Sequence, residues 1–359
     1  MNYILTGAAG FIGFHTAKRL LDQGHTVWGL DSVNSYYDVS LKQARLKELG
    51  VSSEGMEEHE KIRSSIYTGF VFYRMKLEDR KALSRLFADF KEEHKKIDGV
   101  INFAAQAGVR YSIERPEEYI SANIYGFLNI LEECRANNVP HLIYASSSSV
   151  YGLSAQRPYS PHNCADHPIS MYAATKRSNE LMAHTYSHLF GLPVTGLRFF
   201  TVYGPWGRPD MAYYKFSRNI REHKPIEVYN QGNMYRDFTY IDDIVDGIMA
   251  AVGTIPAPSA EFSPEAPDPC LSSAPFRIYN LGNHKPVKLS RFIEVLEESL
   301  GQKAIITYRP LQDGDVLSTE ADISDSRRDL HWEPKTSIED GLKQFALWFN
   351  SYCSRESEA

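Results

Sequence analysis

Tyr3-Ile4-Leu5-Thr6-Gly7-Ala8-Ala9-Gly10-Phe11-Ile12-Gly13 decides the fold. A short apolar, β-prone run ends on glycines spaced three apart, and from Phe11 to Asp22 apolar residues recur at three- and four-residue intervals. This reads as strand, tight turn, helix. Gly7, Gly10 and Gly13, with the backbone of Phe11 and Ile12 between them, make a turn narrow enough to bring main-chain N–H groups against a pyrophosphate at the helix N-terminus.

The same alternation continues outward. Apolar runs at Thr26 to Asp31, Phe70 to Met75, Gly99 to Ala104, His141 to Ser146 and Val194 to Phe200 read as strands, and the segments Asp79 to Lys96 and Pro116 to Ala136 carry helical spacing. The fold class is therefore α/β, a doubly wound parallel sheet of Rossmann type. Residues 41–69 are polar and read as a helix and a surface excursion. Regularity breaks at Tyr203-Gly204-Pro205-Trp206-Gly207-Arg208-Pro209, where a smaller α/β substrate domain is expected to begin. The expected division is a dinucleotide-binding domain over 1–200, with 236–253 packing back onto it, and a substrate domain over 201–235 and 254–359. Prolines at 256, 258, 264, 267, 269 and 275 keep Thr254 to Pro275 from continuing a preceding helix and mark it as a surface loop.

With 359 residues, 43% of them hydrophobic, the chain can bury a large core. A net charge of −6 with both signs interspersed offers no basic face, so nucleic acid is not an expected partner. No apolar run reaches the roughly 18 residues that span a bilayer, and no leader precedes the first strand, so no membrane partner and a cytoplasmic location are expected. Cys134, Cys164, Cys270 and Cys353 are scattered without metal-finger spacing, which suggests reduced structural thiols and no metal centre.

A lone glycine triplet is also compatible with an ordinary strand-to-helix turn. Here the second strand ends on Asp31, whose carboxylate is placed to accept hydrogen bonds from an adenosine ribose. That carboxylate repels a 2′-phosphate, and Ser32-Val33-Asn34 supplies no cation to attract one. The expected cofactor is NAD rather than NADP.

Tyr172-Ala173-Ala174-Thr175-Lys176 places a phenol and an ammonium one helical turn apart on one face. By itself such a pair is commonplace on solvated helices. Behind a dinucleotide motif it becomes a candidate for acid–base work, since a nearby ammonium together with a nicotinamide cation favours the phenolate and makes a phenol of pKa about 10 a usable base. Tyr172 is then the expected proton acceptor and Lys176 its cationic partner.

With the Ser-rich strand end Ser146 to Tyr151, these features resemble the extended short-chain dehydrogenase/reductase family over nearly the whole chain. The resemblance implies a catalytic Ser147/Tyr172/Lys176 triad, with Lys176 also reaching the cofactor. Ser147 would stand at the C-terminal end of a central strand, where open α/β sheets bind ligands. The resemblance also implies a homodimer built on the helices after Pro116 and around Tyr172 to Leu189.

Longer strings narrow the likeness. Asp31-Ser32-Val33-Asn34-Ser35-Tyr36-Tyr37-Asp38, Ala104-Ala105-Gln106-Ala107-Gly108-Val109-Arg110-Tyr111-Ser112 and the run Thr201 to Met211 resemble the UDP-glucuronate 4-epimerases. This implies removal of the C4 hydride to a tightly held NAD, rotation of a 4-keto sugar, and return of the hydride to the opposite face, with NAD regenerated at each turnover. The wider nucleotide-sugar group implies Arg236 on the diphosphate and Gln312 and Asp315 near the uridine ribose. An ion pair of Arg236 with Asp237 or Asp242 is the structural alternative.

A 4-keto uronate is a β-keto acid prone to lose carbon dioxide. Related decarboxylases carry carboxylates just after the triad Ser/Thr, whereas this chain has Ser148 and Ser149. Ser147, Ser148, Ser149, Thr201 and Arg208 are the residues expected at the sugar, with hydroxyls and Arg208 holding its carboxylate. Small residues that merely let backbone approach a nicotinamide are the alternative role for the serines. Alternative activities are 4-epimerisation of a neutral UDP-hexose, decarboxylation of UDP-glucuronate, or a catalytically silent nucleotide-binding role. Asn102, where a His is common in the family, and Lys76, where an Asp commonly contacts adenine, depart from the pattern.

Overall fold

The computed structural model describes residues 1–52, 56–311 and 316–358. Its centre is an eight-stranded sheet. In chain order the strands are β1 (Asn2–Thr6), β2 (Thr26–Asp31), β3 (Lys61–Arg63), β4 (Phe70–Arg74), β5 (Gly99–Asn102), β6 (Leu142–Ser147), β7 (Val194–Phe199) and β8 (Phe276–Leu281). Spatially they run β8-β7-β6-β5-β1-β2-β4-β3. All pairings are parallel except β3 with β4.

Both faces of this sheet are covered, which is why its strands are apolar without a polar face. On β1, Tyr3 and Leu5 join one core with Phe11, Phe14 and Leu20 of the Phe11–Asp22 helix and Ile244 and Ile248 of the Ile241–Gly253 helix. Ile4 points the other way, into a core with Phe87 and Phe90 of the Arg80–His94 helix, Phe127 and Ile130 of the Gly126–Ala136 helix, and Ala183 of the Met171–Phe190 helix.

The chain order reverses between β1 and β5, opening a crevice at their C-terminal ends. Thr6 closes its floor: its hydroxyl donates to Asn102 Oδ1 at 2.7 Å and accepts from the Ala104 N–H at 2.9 Å. Asn102 thus has a structural task at this seam.

Two strands depart from the sequence reading. Lys61–Arg63, within the supposed surface excursion, adds an antiparallel edge strand to β4. Phe276–Leu281, assigned above to the substrate domain, instead pairs with β7 along its length. Its residues are buried throughout, so it reads like any sheet-core strand, but its partner is set by the return path of the chain. The 254–275 stretch holds no helix or strand.

Short pairings carry the rest: Thr201–Tyr203 beside Phe238–Tyr240, Pro225–Tyr229 beside Ile305–Arg309, and Tyr235–Arg236 beside Val287–Lys288. The Ala212–Arg221, Leu289–Leu300 and Ile338–Glu358 helices pack around them. No helix among the described residues is long and apolar enough to cross a membrane.

Candidate active site

A cavity of about 910 Å³ lies over the crevice between β1 and β5. One end is the glycine turn. Gly7 has φ +74°, and a Cβ there would lie 2.8 Å from the Ala104 nitrogen; a Cβ on Gly13 would lie 2.0 Å from the Gly7 carbonyl oxygen. Only bare backbone fits this cradle. The helix that follows starts at Gly10 without a side-chain cap, leaving its first N–H groups for a ligand.

Asp31, at the end of β2, accepts from the Ala9 N–H at 3.1 Å and from the Val33 N–H at 2.8 Å. It lines the cavity and also fixes the glycine loop. Arg45 braces the same loop from behind. Its Nη1 donates to the Ala9 carbonyl at 2.9 Å and to Tyr37 Oη at 2.7 Å, while Nε and Nη2 reach the Trp206 carbonyl at 3.1 and 2.7 Å. The cofactor loop and the loop carrying Arg208 are thereby joined through one buried guanidinium.

The opposite wall carries the predicted triad. Ser147 ends β6 and caps the short Ser148–Tyr151 turn by accepting the Ser149 N–H at 3.2 Å. Its hydroxyl lies close enough to Tyr172 to favour the phenolate. Lys176, one turn along the Met171–Phe190 helix, donates to the Ala145 carbonyl at 2.9 Å with its Nζ 6.0 Å from the centroid of the Tyr172 ring. Burial pushes the lysine down to about 8. Burial raises the pKa of the Tyr172 phenol, while its approach to Ser147 and the charge of Arg208 pull it back.

Ser148, Ser149, Thr201, Arg208 and Arg236 line the same cavity. Arg208 meets an unexpected partner, Asp210, through Nε at 3.0 Å to Oδ1 and through Nη2 to Oδ2. The Tyr36 hydroxyl donates to that second oxygen at 3.1 Å. Arg236 donates to the Tyr235 carbonyl at 3.0 Å, and Asp237, one of its two supposed partners, is engaged elsewhere, accepting N–H groups of Asn283, His284 and Ala321. Gln312 and Asp315 lie outside the described residues.

Sequence reasoning passed over two buried groups that hold this wall in place. Asn123, in the π-helical turn Ile120–Tyr125, accepts the Gln106 N–H at 2.7 Å and donates to Thr175 Oγ1 at 3.0 Å, tying the cavity edge to the Tyr172 helix. Glu180, one turn beyond Lys176, accepts from Ser146 Oγ at 2.6 Å and from Arg198 Nε and Nη2 at 2.8 and 2.9 Å. Polar residues inside otherwise apolar helical stripes were the available signal.

A glycine cradle at the β1/β5 reversal, facing a serine, tyrosine and lysine across one cavity, defines the extended short-chain dehydrogenase/reductase class. Residues 3–260 match the NAD dependent epimerase/dehydratase family, and the chain belongs to that family. It is 44% identical to a probable UDP-glucuronate 4-epimerase of Rhizobium meliloti (strain 1021), over 98% of this chain and 97% of that protein. Protein CapI of Staphylococcus aureus is 52% identical over 98% of this chain and 99% of its own length. The crystal structure of UDP-glucuronic acid 4-epimerase from Bacillus cereus, in complex with UDP-glucuronic acid and NAD, superposes with a TM-score of 0.79 at 30% identity, covering 98% of this chain and 100% of that one.

Proposed function

We propose that this chain interconverts UDP-glucuronate and UDP-galacturonate by NAD-dependent epimerisation at C4, through a transient 4-keto sugar and without decarboxylation. One observation carries the reading: the glycine cradle, the Ser147/Tyr172/Lys176 wall and Arg208 all line a single cavity. The likeness to enzymes of that name supports it.

The residues fit the cofactor, since the Gly7 to Gly13 turn leaves a side-chain-free cradle beside an acceptor carboxylate at Asp31. NAD, when bound, supplies a reversible hydride acceptor and a positive ring beside Tyr172. Tyr172 takes the proton of the C4 hydroxyl and later returns it, with Ser147 donating a hydrogen bond to the reacting oxygen. Lys176 holds positive charge beneath the phenol. Arg236, with Gln312 and Asp315, anchors the UDP group while the sugar turns over, so the binding energy stays with the part that does not react.

Neutral hydroxyls at Ser147, Ser148 and Thr201, with Arg208, hold the sugar carboxylate by charge-assisted hydrogen bonds and oppose its loss. We assign residues 1–200 with 236–253 and β8 to the cofactor-binding part, and the remaining chain to the nucleotide-sugar part. We further propose a homodimer through the outer faces of the Pro116 to Ala136 and Met171–Phe190 segments, where Ile120, Tyr125, Leu181 and Leu189 are exposed.

The test is direct. The purified protein is incubated with UDP-glucuronate, with and without added NAD, and the sugars are separated by chromatography. UDP-galacturonate is the expected product; a pentose as main product, or turnover of neutral UDP-hexoses alone, overturns the reading.

A further inference from the structure

Outside the cavity lining, a few residues beyond Tyr159, three segments distant in sequence converge. His162 follows Tyr159 in a loop, Asp268 and Cys270 belong to the proline-rich 254–275 stretch, and Asp325 lies in the Ser324–Leu330 helix. His162 Nδ1 is 3.4 Å from Cys270 Sγ and 2.5 Å from Asp268 Oδ2. Its other nitrogen, Nε2, is 2.9 Å from Asp325 Oδ2. One ligand atom each from His162, Cys270 and Asp325 lies within 4.8 Å of the others.

We propose that this cluster is a structural site for a zinc-like divalent cation, with His162 Nδ1, Cys270 Sγ and the Asp268 carboxylate as ligands and water in the fourth position. Metal–ligand bonds of about 2.0–2.3 Å set tetrahedral neighbours roughly 3.3–3.8 Å apart. The nitrogen–sulfur separation already has that value, and the short His162–Asp268 contact opens by less than about 1 Å as the ion enters.

Asp325 has a different task. A carboxylate on the far nitrogen of a ligating histidine fixes its tautomer and ring orientation, which is where Asp325 stands. Asp325 is in turn held by Arg277 Nη2 at 2.9 Å and Arg328 Nη1 at 2.9 Å. Arg277 also points Nη1 at Cys270 Sγ from 3.6 Å. On binding, the thiol proton passes to solvent and no electron moves.

Charge supports a dication. Asp268, Asp325 and Asp329 face Arg277 and Arg328, which leaves one carboxylate charge, and the thiol proton displaced on binding leaves a second for the cation to balance. Access exists as well: Cys270 is fully buried, but the His162 side chain stays 39% exposed.

The ion would clamp the proline-rich stretch to a cavity wall. The Tyr159 N–H donates to the Glu320 carbonyl at 2.7 Å, and the Asp322 N–H donates to the Tyr159 carbonyl at 2.9 Å. The loop bearing His162 and the segment leading to Asp325 therefore move as one.

The test uses the full-length protein, stripped with chelator and titrated with Co(II) and then Zn(II). The expected result is one cobalt per chain with a thiolate-to-cobalt charge-transfer band, displaced by zinc, and a higher melting temperature with zinc. Cys270→Ser abolishes the band, His162→Gln at the exposed edge weakens uptake at least 10-fold, and Asp325→Asn weakens it by about 10- to 100-fold. Cys164→Ser, at an exposed thiol, leaves it intact. Absence of saturable uptake, a band that persists in Cys270→Ser, or unchanged affinity in His162→Gln overturns the proposal and leaves an ion-pair latch of His162 between two carboxylates.

Discussion

Asp210 occupies the guanidinium of Arg208, taking Nε on one carboxylate oxygen at 3.0 Å and Nη2 on the other. A substrate carboxylate must therefore compete with an internal one. Asp210→Asn weakens that competitor, and the expected outcome is a several-fold lower KM for UDP-glucuronate with little change for a neutral UDP-hexose. Arg208→Ala is expected to raise the pentose-to-epimer ratio measured by chromatography. Identical KM shifts for acidic and neutral sugars would contradict the role given to Arg208.

Lys176 is pushed down to about 8 by burial. Below that pH the folded protein carries a buried ammonium, and its desolvation cost is fully present. Between about 8 and the ordinary lysine value of 10.5 the folded chain holds a neutral amine while the unfolded chain is still protonated. Folding then releases a proton, so this group's contribution to stability rises with pH across that window. In cofactor-stripped protein at pH 7, Lys176→Met is expected to stabilise by about 1–3 kcal/mol in denaturant melts, while in NAD-loaded protein turnover falls by about 10²- to 10⁴-fold. A destabilised Lys176→Met protein would show that the ammonium is well compensated.

Glu180 and Arg198 are both fully buried side chains. Glu180→Gln leaves the guanidinium without its counter-charge, and a loss of about 3–5 kcal/mol is expected by urea unfolding. Replacing both with apolar residues should recover much of it. Because Ser146 Oγ donates to Glu180, Glu180→Gln is also expected to lower kcat more than it raises KM, which a purely global loss of stability would not do at low temperature.

Gly13→Ala would press a methyl group to 2.0 Å from the Gly7 carbonyl oxygen, so the turn must open. The purified variant should retain less than a tenth of the bound NAD, read from the absorbance of released cofactor, with circular dichroism close to that of the unaltered protein. Normal NAD content would refute the cradle.

Leu181 and Leu189 are exposed on the Met171–Phe190 helix. With the proposed interface, the unaltered chain should sediment as a dimer and a Leu181→Glu/Leu189→Glu protein as a monomer. A monomeric unaltered chain would remove the proposed interface.

The Rossmann-type half was legible because its signals are local. A strand buried on both faces is an apolar run, a half-buried helix has a period, and Gly7 to Gly13 is a turn that only glycine can make. What escaped was non-local. Nothing in Phe276–Leu281 says that it pairs with β7, and nothing in Lys61–Arg63 announces an edge strand. The candidate site shows the same split: Tyr172 and Lys176 are one turn apart and visible together, whereas Asn123 meets Gln106 and Thr175, and Glu180 meets Arg198, only once the chain is folded. Arg208 is visible in the sequence as a candidate, but its pairing is not, although Asp210 stands two residues away. The burial of the Tyr172 phenol is not legible in the sequence, because burial cannot be weighed against charge before the wall around it is known.

Arg45 gives the molecule a modular boundary that differs from its domain boundary. One guanidinium fastens Ala9, Tyr37 and Trp206, so residues 7–13, 31–45 and 204–211 behave as a single part contributed by both halves of the chain. Anyone recombining related enzymes to change the accepted sugar should exchange those three segments together; a swap of the 204–211 loop alone would inherit an arginine shaped for another enzyme's carbonyls.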